Sequence, residues 1–146
     1  MKACTRLPCA AGTFYPSDPK ELLENITRLL PIVHESEKYP AVAAIVPHAG
    51  YTYSGKVLAS TLGRIRLADE IIILCLNHRG NGKAFSLWPG GEWMTPLGAA
   101  PIAEDLQQFL LKKLAIVQND EYAHKGEHSA EVIIPMLQAL KPRLKI

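Results

Sequence analysis

Apolar positions along the chain fall into two kinds of pattern. Residues 41–46 (AVAAIV) and 70–76 (EIIILCL) are short runs without polar alternation, the pattern of parallel strands covered on both faces. Between them Val57, Leu58, Thr61, Leu62 and Ile65 recur at helical spacing. A helix is therefore expected to open at Ser54 or Gly55, and the two strands to form a right-handed βαβ unit around it. An earlier stripe, Leu22, Leu23, Ile26, Leu29 and Leu30, follows Ser17 or Asp18 as cap and Pro19 in the first turn, and Pro31 ends or kinks it.

Further along, Leu106, Phe109, Leu110 and Leu114 predict a helix over residues 102–114. Val132, Ile133, Met136, Leu137 and Leu140 predict another over 129–140. Residues 84–88 and 115–117 are weaker strand candidates. Residues 1–17 read as an irregular segment anchored by Phe14 and Tyr15, and 34–40, 77–83, 89–98 and 120–126 as loops or turns. Residues 143–146 look like the start of a further strand. The expected class is α/β, a mainly parallel sheet flanked by helices. Only two long strands are well supported, so the expectation is that residues 1–146 form the N-terminal part of a single domain, truncated at the C-terminus.

Composition narrows the function classes. At 146 residues, with 48% hydrophobic and 21% charged, the chain has the make-up of an ordinary soluble globular domain with a real core. A net charge of +2, with scattered basic residues, gives no reason to expect a nucleic-acid partner or a membrane surface. No apolar run approaches the roughly 20 residues of a membrane span, and no secretory h-region is visible. Cys4, Cys9 and Cys75 have no metal-type CxxC spacing, so a reducing cytoplasm is expected. Cys75, inside an apolar strand, is expected to be a buried, inert thiol.

The chemistry-bearing residues gather where the strands stop. The first run breaks at Pro47 and continues His48-Ala49-Gly50-Tyr51-Thr52-Tyr53, and the second continues Asn77-His78. Open α/β sheets bind ligands beyond the carboxyl ends of their strands, so His48 and His78 are candidate metal ligands or acid/base groups sharing one cleft. Tyr51 and Tyr53 are candidate substrate contacts. A third group, Glu127-His128-Ser129-Ala130-Glu131, places Glu127 and His128 as candidate general acid/base groups. Ser129 and Glu131 read more plainly as helix-start residues. His124 and His128 are four apart but straddle a glycine, so they do not form a zinc-binding HExxH helix.

These segments together resemble the Memo family, known in prokaryotes as AmmeMemoRadiSam system protein B. The matching pieces occur in the family's order: Ala11-Gly12-Thr13-Phe14-Tyr15-Pro16, then Pro47 to Gly55 (PHAGYTYSG), Asn77-His78, Thr95-Pro96-Leu97-Gly98, and Glu127-His128-Ser129-Ala130-Glu131 with Pro135. The resemblance spans nearly the whole chain and about the first half of the family's domain. It implies a fold similar to the class III extradiol dioxygenases, of which this chain is an incomplete half, and a non-heme metal cleft. His48 and His78 fall on two ligand positions of that cleft. The implied metal is iron, with copper or zinc as alternatives, and the chemistry redox or dioxygenase-like. The family's third histidine and a cysteine near the cleft lie in the half that is not matched.

Within the matched part, Cys75-Leu76 stand where the family usually has Gly-Pro, and Arg79 where a small, polar or His residue is commoner. The resemblance also implies a functional link to a radical-SAM protein. Two other readings compete. One is a peptide- or ligand-binding module without turnover, with Tyr51, Tyr53 and Trp93 supplying contacts. The other is an inactive, truncated family member.

Overall fold

The computed structural model describes residues 4–146. In chain order its elements are β1 (Thr5–Arg6), α1 (Pro19–Leu29), β2 (Tyr39–Pro40), α2 (Tyr51–Leu62), β3 (Ile65–Arg66), β4 (Ser86–Leu87), β5 (Glu92–Thr95), β6 (Gly98–Pro101), α3 (Glu104–Lys113), β7 (Gln118–Asn119) and α4 (Ile134–Leu140). The fold is mixed α/β. Its strands make three small sheets, β1-β5-β6, β2-β3 and β4-β7, rather than one continuous sheet. Pairing is parallel except in the β5–β6 hairpin, which turns through Pro96 and Leu97. No helix among the described residues is long and apolar enough to cross a membrane.

The main core forms where α1, α2 and the segment 130–140 meet. Asp18 caps α1 by accepting from the Glu21 backbone N–H at 2.8 Å, and Pro19 occupies its first turn. The buried side of α1 is Leu22 and Ile26, and that of α2 is Tyr51, Leu58, Ala59 and Leu62. Both pack against Val132, Ile133, Met136 and Leu137. Gly55 lets the first two helices approach, because a Cβ there would sit 2.8 Å from Leu29 Cδ1 and 3.2 Å from Tyr51 Cβ. A smaller cluster holds Trp88, Trp93, Ala100, Ala130 and Ile134.

Several expectations require correction. The runs 41–46 and 71–76 are not paired strands: among the described residues only Glu70 joins a ladder, bridging in parallel to Lys145. An apolar run becomes a strand only if neighbours satisfy its backbone, and of these residues only Ile71 donates to a described backbone carbonyl, that of Lys145. Cys75 is accordingly exposed rather than buried. The βαβ unit exists in a shorter, shifted form, as β2-α2-β3. The helix expected at Ser54 or Gly55 begins three or four residues earlier, at Tyr51 behind Gly50. The last helix begins at Ile134 rather than Ser129, with turns before it. Pro135 has no N–H for Glu131's carbonyl, which removes one bond of the helix start.

On α3 the helical period is real but the apolar stripe is only partly covered, with Leu106 and Leu110 half-buried. Gln107 is its buried residue, donating to the Trp88 carbonyl, while Phe109 and Leu114 are exposed. The strand expected at 115–117 lies slightly later, as β7, beside β4. Residues 143–146 do begin to enter a sheet: Lys145 N–H donates to Asp69, and Ile146 exchanges bonds with Pro101 and Ala103.

A buried ion pair ties the N-terminal segment to the loop before α4. Arg6 Nη1 lies 2.7 Å from Glu131 Oε2, with both side chains almost wholly buried. Glu131 also accepts from the backbone N–H groups of Cys9 and Ala10 and from the Tyr15 hydroxyl at 2.6 Å. Burial alone would raise its carboxyl; the Tyr15, Cys9 and Ala10 hydrogen bonds, with Arg6, outweigh that and hold it below the usual range. Arg6 in turn donates to the carbonyls of His124 and Glu127 and stacks 4.2 Å over Trp93. Glu131→Gln strands the Arg6 charge, so urea unfolding should show a loss of about 3–5 kcal/mol. Adding Arg6→Met should recover part of it; an unchanged midpoint in Glu131→Gln would contradict this role.

Candidate metal centre

Neither 41–46 nor 71–76 forms a strand, yet both deliver an imidazole to the same point. His48 sits between Pro47 and the start of α2. That turn is fixed by the Tyr51 N–H, which donates to the Phe14 carbonyl at 2.7 Å, and by Ser54 Oγ, which donates to Ala49 at 3.0 Å. A Cβ at Gly50 would stand 3.2 Å from that same Phe14 carbonyl oxygen, which accounts for the glycine in the motif. His48 Nε2 lies 3.4 Å from His78 Nε2. His128 completes the group: its ring stacks on His78 at 4.8 Å and 14°, stands 6.1 Å from His48, and packs against Phe14 at 4.4 Å.

Glu127 sets the orientation of His78. One carboxylate oxygen accepts from the His78 backbone N–H at 2.7 Å and the other pairs with its Nδ1 at 2.9 Å. Glu127 Oε1 also accepts from the Ser129 N–H at 2.8 Å. Burial would push this carboxyl up, but the hydrogen bonds from His78 and Ser129 hold it down at about 2. It is therefore an ionised acceptor facing His78 Nδ1, which leaves Nε2 as the ring nitrogen turned toward His48. Ser129 Oγ reaches back to the Leu76 carbonyl at 2.7 Å, pinning the run that ends in Asn77-His78. The His78 ring thus lies beside His48 with Cys75-Leu76 in the preceding positions. Arg79 turns away, its Nε donating to the Gly126 carbonyl.

This donor set fits a metal ion. Nitrogens bound to one tetrahedral ion at about 2.0–2.1 Å stand roughly 3.3–3.4 Å apart, and the two Nε2 atoms are at that separation. Ligand atoms of His78, Glu127 and His128 also lie within 4.8 Å of one another. Glu127 already accepts three hydrogen bonds, two of them from His78, which suits it to stand behind a ligand rather than to be one. Burial and the neighbouring imidazoles His78 and His48 lower the proton affinity of His128, while Glu127 opposes them. A neutral ring is able to bind a metal or accept a proton.

The remaining candidates are scattered. Tyr51 is buried in the core, where its hydroxyl donates to the Val132 carbonyl at 3.1 Å, whereas Tyr53 is 88% exposed beside it on α2. Trp93 is buried beneath Arg6. His124 packs edge-on against Trp88 and Trp93, apart from the other imidazoles. Sequence reasoning missed the parts of Phe14, Ser129, Arg6 and Glu131. The one signal that contained two of them was the Glu-His-Ser-x-Glu spacing, in which each polar residue holds a different partner.

Comparison with known proteins agrees with this arrangement of segments. The family model described as Memo-like protein matches residues 6–146. A MEMO1 family protein of Aquifex aeolicus is 44% identical over 133 residues, covering 91% of this chain and 49% of the relative. One from Saccharolobus islandicus is 42% identical over 149 residues, covering 91% and 51%. Another from Saccharolobus solfataricus is 41% identical over 146 residues, with the same coverage. The chain spans about half the length of these curated relatives. With the match running through the His48, His78 and Glu127-His128 segments, the chain belongs to the Memo-like family.

Proposed function

We propose that the cleft at His48 and His78 is a non-heme metal site with redox or dioxygenase-like chemistry. The observation that carries this reading is the pair of Nε2 atoms 3.4 Å apart, with Glu127 locked behind one of them. His48 and His78 supply two ligands through Nε2. Iron is the metal the family resemblance favours, with copper and zinc as alternatives; imidazole suits all three. When bound, such an ion supplies Lewis-acid or one-electron chemistry to a small molecule or peptide held in the cleft.

The protein's own groups divide the remaining work. Glu127 fixes the His78 tautomer and raises the donor strength of Nε2. With its carboxyl held at about 2, Glu127 is a poor proton donor near neutrality, so proton transfer falls to His128, which touches His78 and has a depressed proton affinity. Tyr53 is the exposed aromatic nearest in sequence to His48 and the better placed of the two tyrosines for substrate. Burial of Tyr51 and Trp93 leaves less surface for a purely peptide-binding cleft. A functional partnership with a radical-SAM protein, as in prokaryotic family members, belongs to the same proposal.

Anaerobic titration with Fe(II), followed by metal analysis after desalting, is expected to give about one ion per chain. Substitution of His48 or His78 by Ala should abolish retention; stoichiometric metal held by His48→Ala sinks the proposal. Glu127→Gln should weaken binding about 10–100-fold while leaving both ligands in place.

Acid stability offers a second check on Glu127. Its carboxyl is depressed from an unfolded value of about 4.3 to about 2 in the folded chain. The unfolded state therefore binds the proton more tightly, and the stabilisation is present above about pH 4.3 and disappears as pH falls towards 2. Urea midpoints measured between those limits should fall with pH, and less steeply in Glu127→Gln. An identical slope in the variant would contradict the assigned hydrogen bonding.

A further inference from the structure

The end of α2 remote from His48 borders a cavity of about 350 Å³. That volume falls in the range of small-molecule sites, about 300–1,000 Å³. The 12 residues of α2, at 1.5 Å each, span about 17 Å, so the cavity is distinct from the cleft at the other end of the helix. Part of its lining is apolar: Leu62 from the last turn of α2, Ile65 and Leu67 in and after β3, and Leu140 from the end of α4, all packed on the main core. The rest is charged, with three cations, Lys38, Arg66 and Lys141, and one carboxylate, Glu35.

The three cations are not equally engaged. Lys141 Nζ donates to the Leu67 carbonyl at 2.8 Å and pairs with Asp69 at 2.6 Å. Lys38 Nζ meets Glu35 Oε2 at 2.8 Å, the lysine side chain 19% exposed and the glutamate 75%. Arg66 uses its Nε alone, donating to the Lys38 carbonyl at 3.0 Å, and among the described residues neither of its Nη groups reaches an acceptor. Glu37, the other acid of the turn Glu35–Glu37, accepts from the His34 N–H at 2.8 Å and does not line the cavity. The Lys38 hydrogen bond, with the charges of Lys38, Arg66 and Lys141, holds the Glu35 carboxyl below its usual range against the opposing effect of burial. A guanidinium with both Nη groups open presents the planar fork that takes a carboxylate or phosphate bidentately.

We propose that this cavity binds a small organic anion, a compact apolar body carrying one phosphate or carboxylate group. The body lies against Leu62, Ile65, Leu67 and Leu140, and the oxyanion between Arg66 and Lys38. Glu35 is a competitor within the chain, since its carboxylate already holds the Lys38 ammonium that the ligand would use. The site is independent of the histidines and of any ion they hold.

Phenyl phosphate and benzoate are the probes, with inorganic phosphate and benzyl alcohol testing the charged and apolar halves alone. Titration of the 146-residue chain followed by amide NMR is expected to give a saturable one-to-one response at residues 35–38, 62–67, 140 and 141. Inorganic phosphate and benzyl alcohol should each bind at least about tenfold more weakly than the better organic anion. Arg66→Gln should weaken that anion at least about tenfold, whereas Glu35→Gln should tighten it by removing the competing carboxylate. Opposite signs at two residues of one rim are not what a general loss of stability produces. The proposal is overturned if neither organic anion saturates at millimolar concentration, or if inorganic phosphate binds as tightly as both. It also fails if Arg66→Gln leaves affinity unchanged, if Glu35→Gln weakens it, or if the responses centre on residues 48, 78 and 128. Should Arg66→Gln fail to fold, Lys38→Met takes its place with the same expected loss.

Discussion

The structure depends on one buried charge pair. Arg6 and Glu131 stand 125 positions apart in sequence, and bringing both into the interior is tolerable only because nearly every polar atom they carry finds a partner. Glu131 gathers the backbone of Cys9 and Ala10 and the Tyr15 hydroxyl, and Arg6 gathers the carbonyls of His124 and Glu127. The N-terminal segment and the loop before α4 are therefore one hydrogen-bonded unit. Glu127, whose carboxylate aims His78, has its own backbone held by Arg6. The geometry of the cleft is thus inherited from a pair that does not touch it.

That hierarchy explains why the Glu-His-Ser-Ala-Glu segment is so densely polar in so buried a place. Glu127 is engaged with His78, His128 with the other imidazoles, Ser129 with Leu76, and Glu131 with the N-terminal segment. Each residue ties a different stretch of chain to the same short loop. A partly satisfied network at this depth would cost more than an apolar one.

Local signals were readable from the sequence, and distant ones were not. The Asp18 cap, Pro19 and the Leu22–Ile26 stripe act within a few residues, so α1 was legible as a helix, although the cap was open between Ser17 and Asp18 and Leu23 of the expected stripe is exposed. His48 and His78 were legible as a pair because each ends an apolar run, and their meeting survives even though those runs form no ladder. Glu131 looked like an ordinary helix-start residue because nothing near it announces Arg6. The β5–β6 hairpin was hidden among prolines and glycines that mark turns without saying which short stretches between them pair. Pro135 displaced the start of α4 by satisfying the helical period while lacking the N–H a helix needs. On α3 the period was right and the face wrong, since periodicity tells which residues share a side and not whether anything covers it.

The Glu127 clamp makes the two facing imidazoles unequal. His78 is held by backbone and ring at once, whereas the hydrogen bond found for the His48 ring is the one to His78 itself. His78 is the fixed jaw of the site and His48 the free one. In the proposed metal site, ordering on capture of an ion would fall on a single side chain, about 0.5–1.5 kcal/mol, instead of on two. The same asymmetry leaves His48 as the ring that would have to turn if an ion held as proposed were to leave, the half of the site anchored to the Arg6–Glu131 unit staying in place.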